Sequence, residues 1–201
     1  FESNLEIRPI NIEDLLGRPQ ATLDRDSMAT LIGGRRILVT GAGGTIGSEL
    51  CRKILRAGPR RLVLYDNSEF ALYSLEQELL ENASEIELVF LLGTVLNKDH
   101  LAKVMDDFSV QTVYHAAAYK HVPMVERNII EGVRNNVLGT WYVAQAVHDS
   151  QAERLVLIST AKAVRASSVM GASKRLAELI IQSFATLETD TKYCMVRFGN
   201  V

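Results

Sequence analysis

Gly41-Ala42-Gly43-Gly44-Thr45-Ile46-Gly47 sets glycines at 41, 44 and 47 between an apolar run, Ile37-Leu38-Val39, and residues that recur at helical spacing, Ile46, Leu50, Ile54 and Leu55. A glycine loop between a strand and a helix can hold a pyrophosphate. Gly41 permits the tight turn, Gly44 lets backbone N–H groups reach the anion, and Gly47 lets the helix pack close to the sheet. The anion then lies on the positive end of the helix dipole, with Thr45 and Ile46 opening the helix beside it. A merely tight strand-to-helix turn is the plainer reading of the same residues. Asp66 follows Gly47 by 19 residues and ends the next apolar run. A carboxylate there accepts hydrogen bonds from adenosine ribose hydroxyls and repels a 2′-phosphate, which favours NAD over NADP. Alternatively, Asp66 caps the turn through Asn67 and Ser68.

The elements that must position these groups alternate. Strands are predicted at Leu62 to Tyr65, Ile86 to Leu92, Thr112 to His115, Leu155 to Ser159 and Tyr193 to Phe198, after the first at Ile37. Helices fall between them: Phe70 to Leu80, Lys98 to Phe108, one long helix over Ile129 to Asp149, and Met170 to Leu187. Six strands separated by helices require right-handed crossovers and a parallel sheet covered on both faces, which is a Rossmann-type doubly wound α/β fold over residues 35–201. Residues 1–34 read as an arm. It carries a short helix over Ile10 to Leu16 and another over Asp26 to Ile32, with Asp26 as cap and Gly33 and Gly34 as stop.

Composition narrows the class of function. The 22 Lys and Arg nearly balance 24 Asp and Glu without a basic block, which gives no footprint for nucleic acid. Cys51 and Cys194 match neither a metal spacing nor a disulfide framework, as expected in a reducing compartment. The apolar runs are far shorter than the roughly 20 residues that span a bilayer, so neither a transmembrane helix nor a signal peptide is expected in the chain.

The motifs together resemble the extended short-chain dehydrogenase/reductases, and among them the nucleotide-sugar 4,6-dehydratases of the long, membrane-associated polysaccharide-biosynthesis branch. The resemblance is carried by Val39 to Leu50, Tyr65-Asp66-Asn67-Ser68-Glu69, His115-Ala116-Ala117-Ala118-Tyr119-Lys120-His121-Val122-Pro123, Asn135 to Thr140, Val169 to Arg175, and Arg197-Phe198-Gly199-Asn200-Val201. It implies dehydration of a UDP-N-acetylhexosamine such as UDP-GlcNAc to a 4-keto-6-deoxy sugar: hydride leaves C4, the C5 proton and C6 hydroxyl depart as water, and hydride returns to C6. It also implies a homo-oligomer, a cytoplasmic domain of an inner-membrane protein whose membrane helices lie outside this chain, and a substrate region beyond Val201.

By the same resemblance Ala116, Ala117 and Ala118 line the cofactor, Lys174 binds the nicotinamide ribose, and Lys120 and Asn200 contact substrate. Thr94 stands where relatives carry an Asp for the adenine amine, and its hydroxyl accepts that bond more weakly. Asn136 is similar to an Asn that orders the strand ends, His115 is read as structural, and His121 as a packed or capping residue. Two positions are unusual. The Tyr that precedes the family Lys by four is Met170, which cannot act as a base; the long branch is similar in having Met there. The Ser-Thr-Asp-Lys pattern reads Ser159-Thr160-Ala161-Lys162, so the implied acid for water loss is a methyl group. Either the residue was replaced deliberately, or a divergent member uses another acid. Lys162 either helps move the C5 proton or contacts the pyrophosphate or sugar. Lys174 could also be a solvated charge on its helix. Two other activities remain open: an NAD-binding sensor or scaffold domain without catalysis, and a nucleotide-sugar 4-epimerase, which needs no acid at C6 but wants the Tyr.

Overall fold

A computed structural model describes residues 25–81 and 86–199. The expected helix over Ile10 to Leu16 and the expected substrate contact Asn200 lie outside them. Helix α1 is described over Arg25–Ile32, so Asp26 lies within it, and it ends before Gly33 and Gly34 as expected; the side chain of Asp26 lies outside the described groups. Next come β1 (Arg36–Thr40), α2 (Thr45–Arg56), β2 (Arg61–Asp66), α3 (Glu69–Leu80), β3 (Glu87–Leu92), α4 (Lys98–Asp107) and β4 (Thr112–His115). The chain continues through α5 (Val122–Arg127), α6 (Ile129–Val133), α7 (Gly139–Asp149), β5 (Arg154–Thr160), α8 (Val169–Ala185) and β6 (Lys192–Phe198).

All pairings are parallel, in the order β3-β2-β1-β4-β5-β6. The order reverses between β1 and β4, and at such a switch point the loops leaving the two strands part and open a crevice. Alternate strand residues feed two cores. Ile37, Val39, Leu62 and Leu64 pack under α1, α2 and α3, whereas Leu38, Val63, Val113, Leu155 and Leu157 pack under α4, α7 and α8. Each fully buried Leu, Val or Ile contributes about 1.5–3 kcal/mol, and the near-continuous apolar strands follow from burial on both faces.

Local chemistry fixes where helices begin. Ser68, Asn97 and Ser168 cap α3, α4 and α8 by accepting the N–H of Ala71, His100 and Gly171. Helix α8 is held a second time, since Glu126 of α5 accepts the Val169 N–H at 2.7 Å. The expectation of one continuous helix over Ile129 to Asp149 is corrected. A π turn at Arg134–Leu138 separates α6 from α7 and swings Asn135 and Asn136 into the interior, where their side-chain bonds outweigh the regular ladder. No helix among the described residues is long and apolar enough to cross a membrane.

Candidate active site

The glycine loop is shaped by close backbone approach. Gly41 takes φ +70°, and a Cβ there would stand 2.5 Å from the Ala117 nitrogen. A Cβ on Gly47 would collide with the Gly41 carbonyl oxygen, so only glycine lets α2 approach the loop. Gly44 occupies the N-cap of α2 without a side-chain cap, leaving the first-turn N–H groups of Thr45, Ile46 and Gly47 at a cavity wall. Asp66 joins this loop to the next: Oδ2 accepts the Gly43 N–H at 2.8 Å and Oδ1 accepts the Ser68 N–H at 2.9 Å. The turn-capping reading of Asp66 is therefore realised. Each carboxylate oxygen keeps a further lone pair for a ligand.

Two cavities meet at the loop. The smaller, about 240 Å³, is bounded by Gly41, Asp66, Asn67, Ser68, Thr94 and Ala117. Thr94 Oγ1 accepts the Leu96 N–H at 3.3 Å, and its carbonyl accepts the Tyr65 hydroxyl at 3.0 Å. The larger, about 740 Å³, is bounded by Thr45, Ile46, Gly47, Lys120, His121, Ser159, Thr160, Lys162, Met170, Lys174 and Phe198. Gly44, Ala116, Ala118 and Tyr119 line both. Ala161 starts a 3-10 turn at Ala161–Ala163, where Thr160 Oγ1 accepts the Lys162 N–H at 3.3 Å, and it is not among the lining residues. His121 is exposed at the N-cap position of α5 and makes no side-chain cap bond, so it is not packed.

The floor of the larger cavity is a network of buried polar groups. Lys174, 6% exposed, donates from Nζ to the Ile158 carbonyl at 2.7 Å, which overturns the reading of a solvated charge. Burial lowers its pKa to about 8, and the Glu178 carboxylate opposes that shift. Met170, four residues earlier, is buried, and its thioether offers no proton. Asn136 brackets Tyr119, accepting its N–H at 2.8 Å and donating to its carbonyl at 3.0 Å, and donates also to Ser173 Oγ at 3.0 Å. The turn after β4 is thereby tied to α8.

His115 is fully buried between Thr40 Oγ1 at 2.7 Å and Thr140 Oγ1 at 3.0 Å. Thr140 donates its proton to the Asn136 carbonyl, so Nε2 of His115 carries hydrogen and Nδ1 accepts from Thr40. Burial, and then the nearby Lys174 charge, push its pKa down to about 3. His115 is a neutral strut from β1 to the π turn, in agreement with its structural reading.

Sequence reasoning missed Glu178. It is wholly buried and accepts from Ser159 Oγ at 2.7 Å, from Arg197 Nε and Nη2 at 2.8 Å each, and from Arg175 Nη1 at 2.9 Å. Its pKa falls to about 2, chiefly through Arg197, against the opposing effect of burial. The available signal was spacing: Glu178 follows Lys174 by four and lies on the face that also carries Ala177 and Ile181.

The glycine cradle, the acid ending β2 and the sheet order define the dinucleotide-binding domain of the extended short-chain dehydrogenase/reductases. The family model described as "Polysaccharide biosynthesis protein" matches residues 37–201, and the chain belongs to that family. It is 44% identical to the capsular polysaccharide biosynthesis protein CapD of Staphylococcus aureus over 97% of this chain and 33% of that protein. It is 41% identical to the membrane protein MJ1061 of Methanocaldococcus jannaschii, over 83% of this chain and 49% of that one. More distant are a UDP-glucose 4-epimerase of Rickettsia rickettsii, 30% identical over 83% of this chain and 49% of that one, and a UDP-N-acetylglucosamine 4,6-dehydratase (inverting) of Campylobacter jejuni, 27% identical over 85% and 50%. The chain thus spans a third to a half of these relatives.

Among solved structures, Pen from Bacillus thuringiensis superposes with a TM-score of 0.79 at 29% identity, over 85% of this chain and 53% of that one. MoeE5, solved with UDP-glucose and NAD, gives 0.68 at 25%, over 81% and 54%.

Proposed function

We propose that this domain is the NAD-binding half of a nucleotide-sugar 4,6-dehydratase acting in polysaccharide biosynthesis on a UDP-N-acetylhexosamine such as UDP-GlcNAc. The observation that carries the reading is the pair of cavities sharing Gly44, Ala116, Ala118 and Tyr119 across the switch point. A dinucleotide fits this arrangement: adenosine beside Asp66, Ser68 and Thr94, pyrophosphate on the uncapped start of α2, nicotinamide toward Lys174. Asp66 favours NAD over NADP by its charge. A bound nicotinamide supplies the oxidation at C4 and its reversal.

The chain's own groups do the rest. Lys174 orients the ribose with an ammonium already desolvated. Thr160, Lys162 and Lys120 line the larger cavity, and in this reading Lys162 relays the C5 proton or holds the pyrophosphate or sugar. Met170 takes no proton, which weighs against the 4-epimerase reading, because that reaction wants the phenol absent here. Ala161 has no proton for the C6 oxygen, which is the feature that favours an epimerase or a non-catalytic NAD sensor. The relatives named above support both sugar chemistries, and the likeness to the membrane protein MJ1061 supports a membrane-associated full-length protein.

In the full-length protein, Ala161→Asp should raise release of 4-keto-6-deoxy product from UDP-GlcNAc at least about tenfold, a threshold set below the roughly 10²–10⁴-fold that a positioned acid typically contributes. Unchanged turnover puts the acid elsewhere. A 4-epimer as product establishes the epimerase, and NAD binding with no product under either residue establishes the sensor.

A further inference from the structure

Glu178 is a buried carboxylate that neither the glycine loop nor the sugar chemistry requires. Its partners are not scattered. Ser159 and Arg197 are direct register partners across β5 and β6, and both reach the same carboxylate on α8. One turn earlier on α8, Lys174 grips the carbonyl of Ile158, the neighbour of Ser159. The side chains at 174 and 178 therefore hold two consecutive residues of β5, immediately before Thr160 and Lys162, while the fork of Arg197 ties in the end of β6, immediately before Phe198 and Gly199. Thr160, Lys162, Phe198 and Gly199 all bound the larger cavity.

We propose that Glu178 is a positioning residue of the larger cavity, fixing the ends of β5 and β6 through Ser159 and Arg197 and supplying the counter-charge against which Lys174 stands buried as an ammonium. The proposal rests on reading that cavity as the reaction chamber, but its two physical claims stand apart from the identity of the substrate. The charges around Lys174 are few. Glu178 lies one turn along on α8, paired to Arg175 and Arg197; His115 on β4 is neutral; Lys120, Glu131 and Lys162, all exposed, line the same cavity. Glu178 is the one of these whose charge opposes loss of the Lys174 proton.

The test is Glu178→Gln in the 201-residue chain, with the Lys174 side chain followed by nitrogen-15 NMR across pH 6 to 11 and assigned by its loss in Lys174→Arg. The amide keeps the shape and one acceptor and removes the charge. The Lys174 midpoint should fall by about one pH unit, a tenfold shift in its proton affinity; an unmoved midpoint overturns the counter-charge. Glu178→Asp keeps the charge and shortens the reach. It should leave the midpoint near that of the parent while amide exchange over residues 158–162 and 196–199 quickens about tenfold or more; unchanged exchange overturns the positioning role. If the Gln variant does not fold, the Asp variant decides by its exchange. NAD titrations of the same samples separate the two readings: a parent chain that binds no NAD defeats the proposed function, while the NMR and exchange results still judge Glu178.

Discussion

The two cavities are adjacent and share four residues, yet they are built by different means. The smaller is a backbone construction: a glycine in the left-handed region and one carboxylate spent on two amide groups. The larger is a side-chain construction. Asn136, His115, Thr140, Lys174 and Glu178 are all buried, and each holds another element in place through hydrogen bonds. A diphosphate looks alike in every dinucleotide, so a site for it needs only correctly aimed backbone amides. A site that must place a lysine and two strand ends needs a scaffold of directed bonds.

The sharpest way to break this comparison is Gly47→Ala. If the smaller cavity depends on backbone approach, one methyl group suffices to ruin it, because the neighbour it meets is a carbonyl that cannot step aside. NAD affinity by calorimetry should fall at least about 100-fold, or roughly 2.7 kcal/mol. A loss under about threefold would mean that α2 shifts without cost and that the glycine spacing is incidental.

The larger cavity should fail differently, through stability. Asn136→Ala removes the buried side chain that holds the Tyr119 amide and carbonyl and Ser173 Oγ, so unfolding in urea should be easier by about 1–3 kcal/mol. NAD binding by the folded fraction should weaken far less than in Gly47→Ala. An Asn136→Ala chain as stable as the parent would show that water replaces the amide, and that the π turn is held by packing alone.

This division also decided what could be read from residues in a row. The strands stood out because burial on both faces makes them short apolar runs, and the glycine loop because its geometry excludes every other residue type. Ser68, Asn97 and Ser168, which cap α3, α4 and α8, went unread, although Ser or Asn ahead of helical periodicity is a cap signal. The break in the long helix was not visible. Nothing in Arg134-Asn135-Asn136-Val137-Leu138 opposes a regular helix, and the partner that the Asn136 side chain meets from the π turn, Tyr119, lies 17 residues away in the chain. Glu178 was hidden for a related reason: a charge on an amphipathic helix reads as solvent-facing unless one knows that β6 brings an arginine to meet it.

Asp66 belongs to both kinds of construction, and it gives the smallest and most selective effect. Its two oxygens each accept a backbone N–H, so Asp66→Asn keeps one of those bonds, turns an amide donor toward the other N–H, and removes the negative charge. One neutral hydrogen bond is worth about 0.5–1.5 kcal/mol, so NAD affinity should fall only about three- to tenfold. NADP should gain at the same time, since the repulsion of a 2′-phosphate goes with the charge. The ratio of the two dissociation constants is the informative quantity: in the parent it should favour NAD clearly, and in Asp66→Asn it should approach one. A parent that binds both equally would mean that the carboxylate is committed wholly to its two amide groups and reads nothing of the ribose.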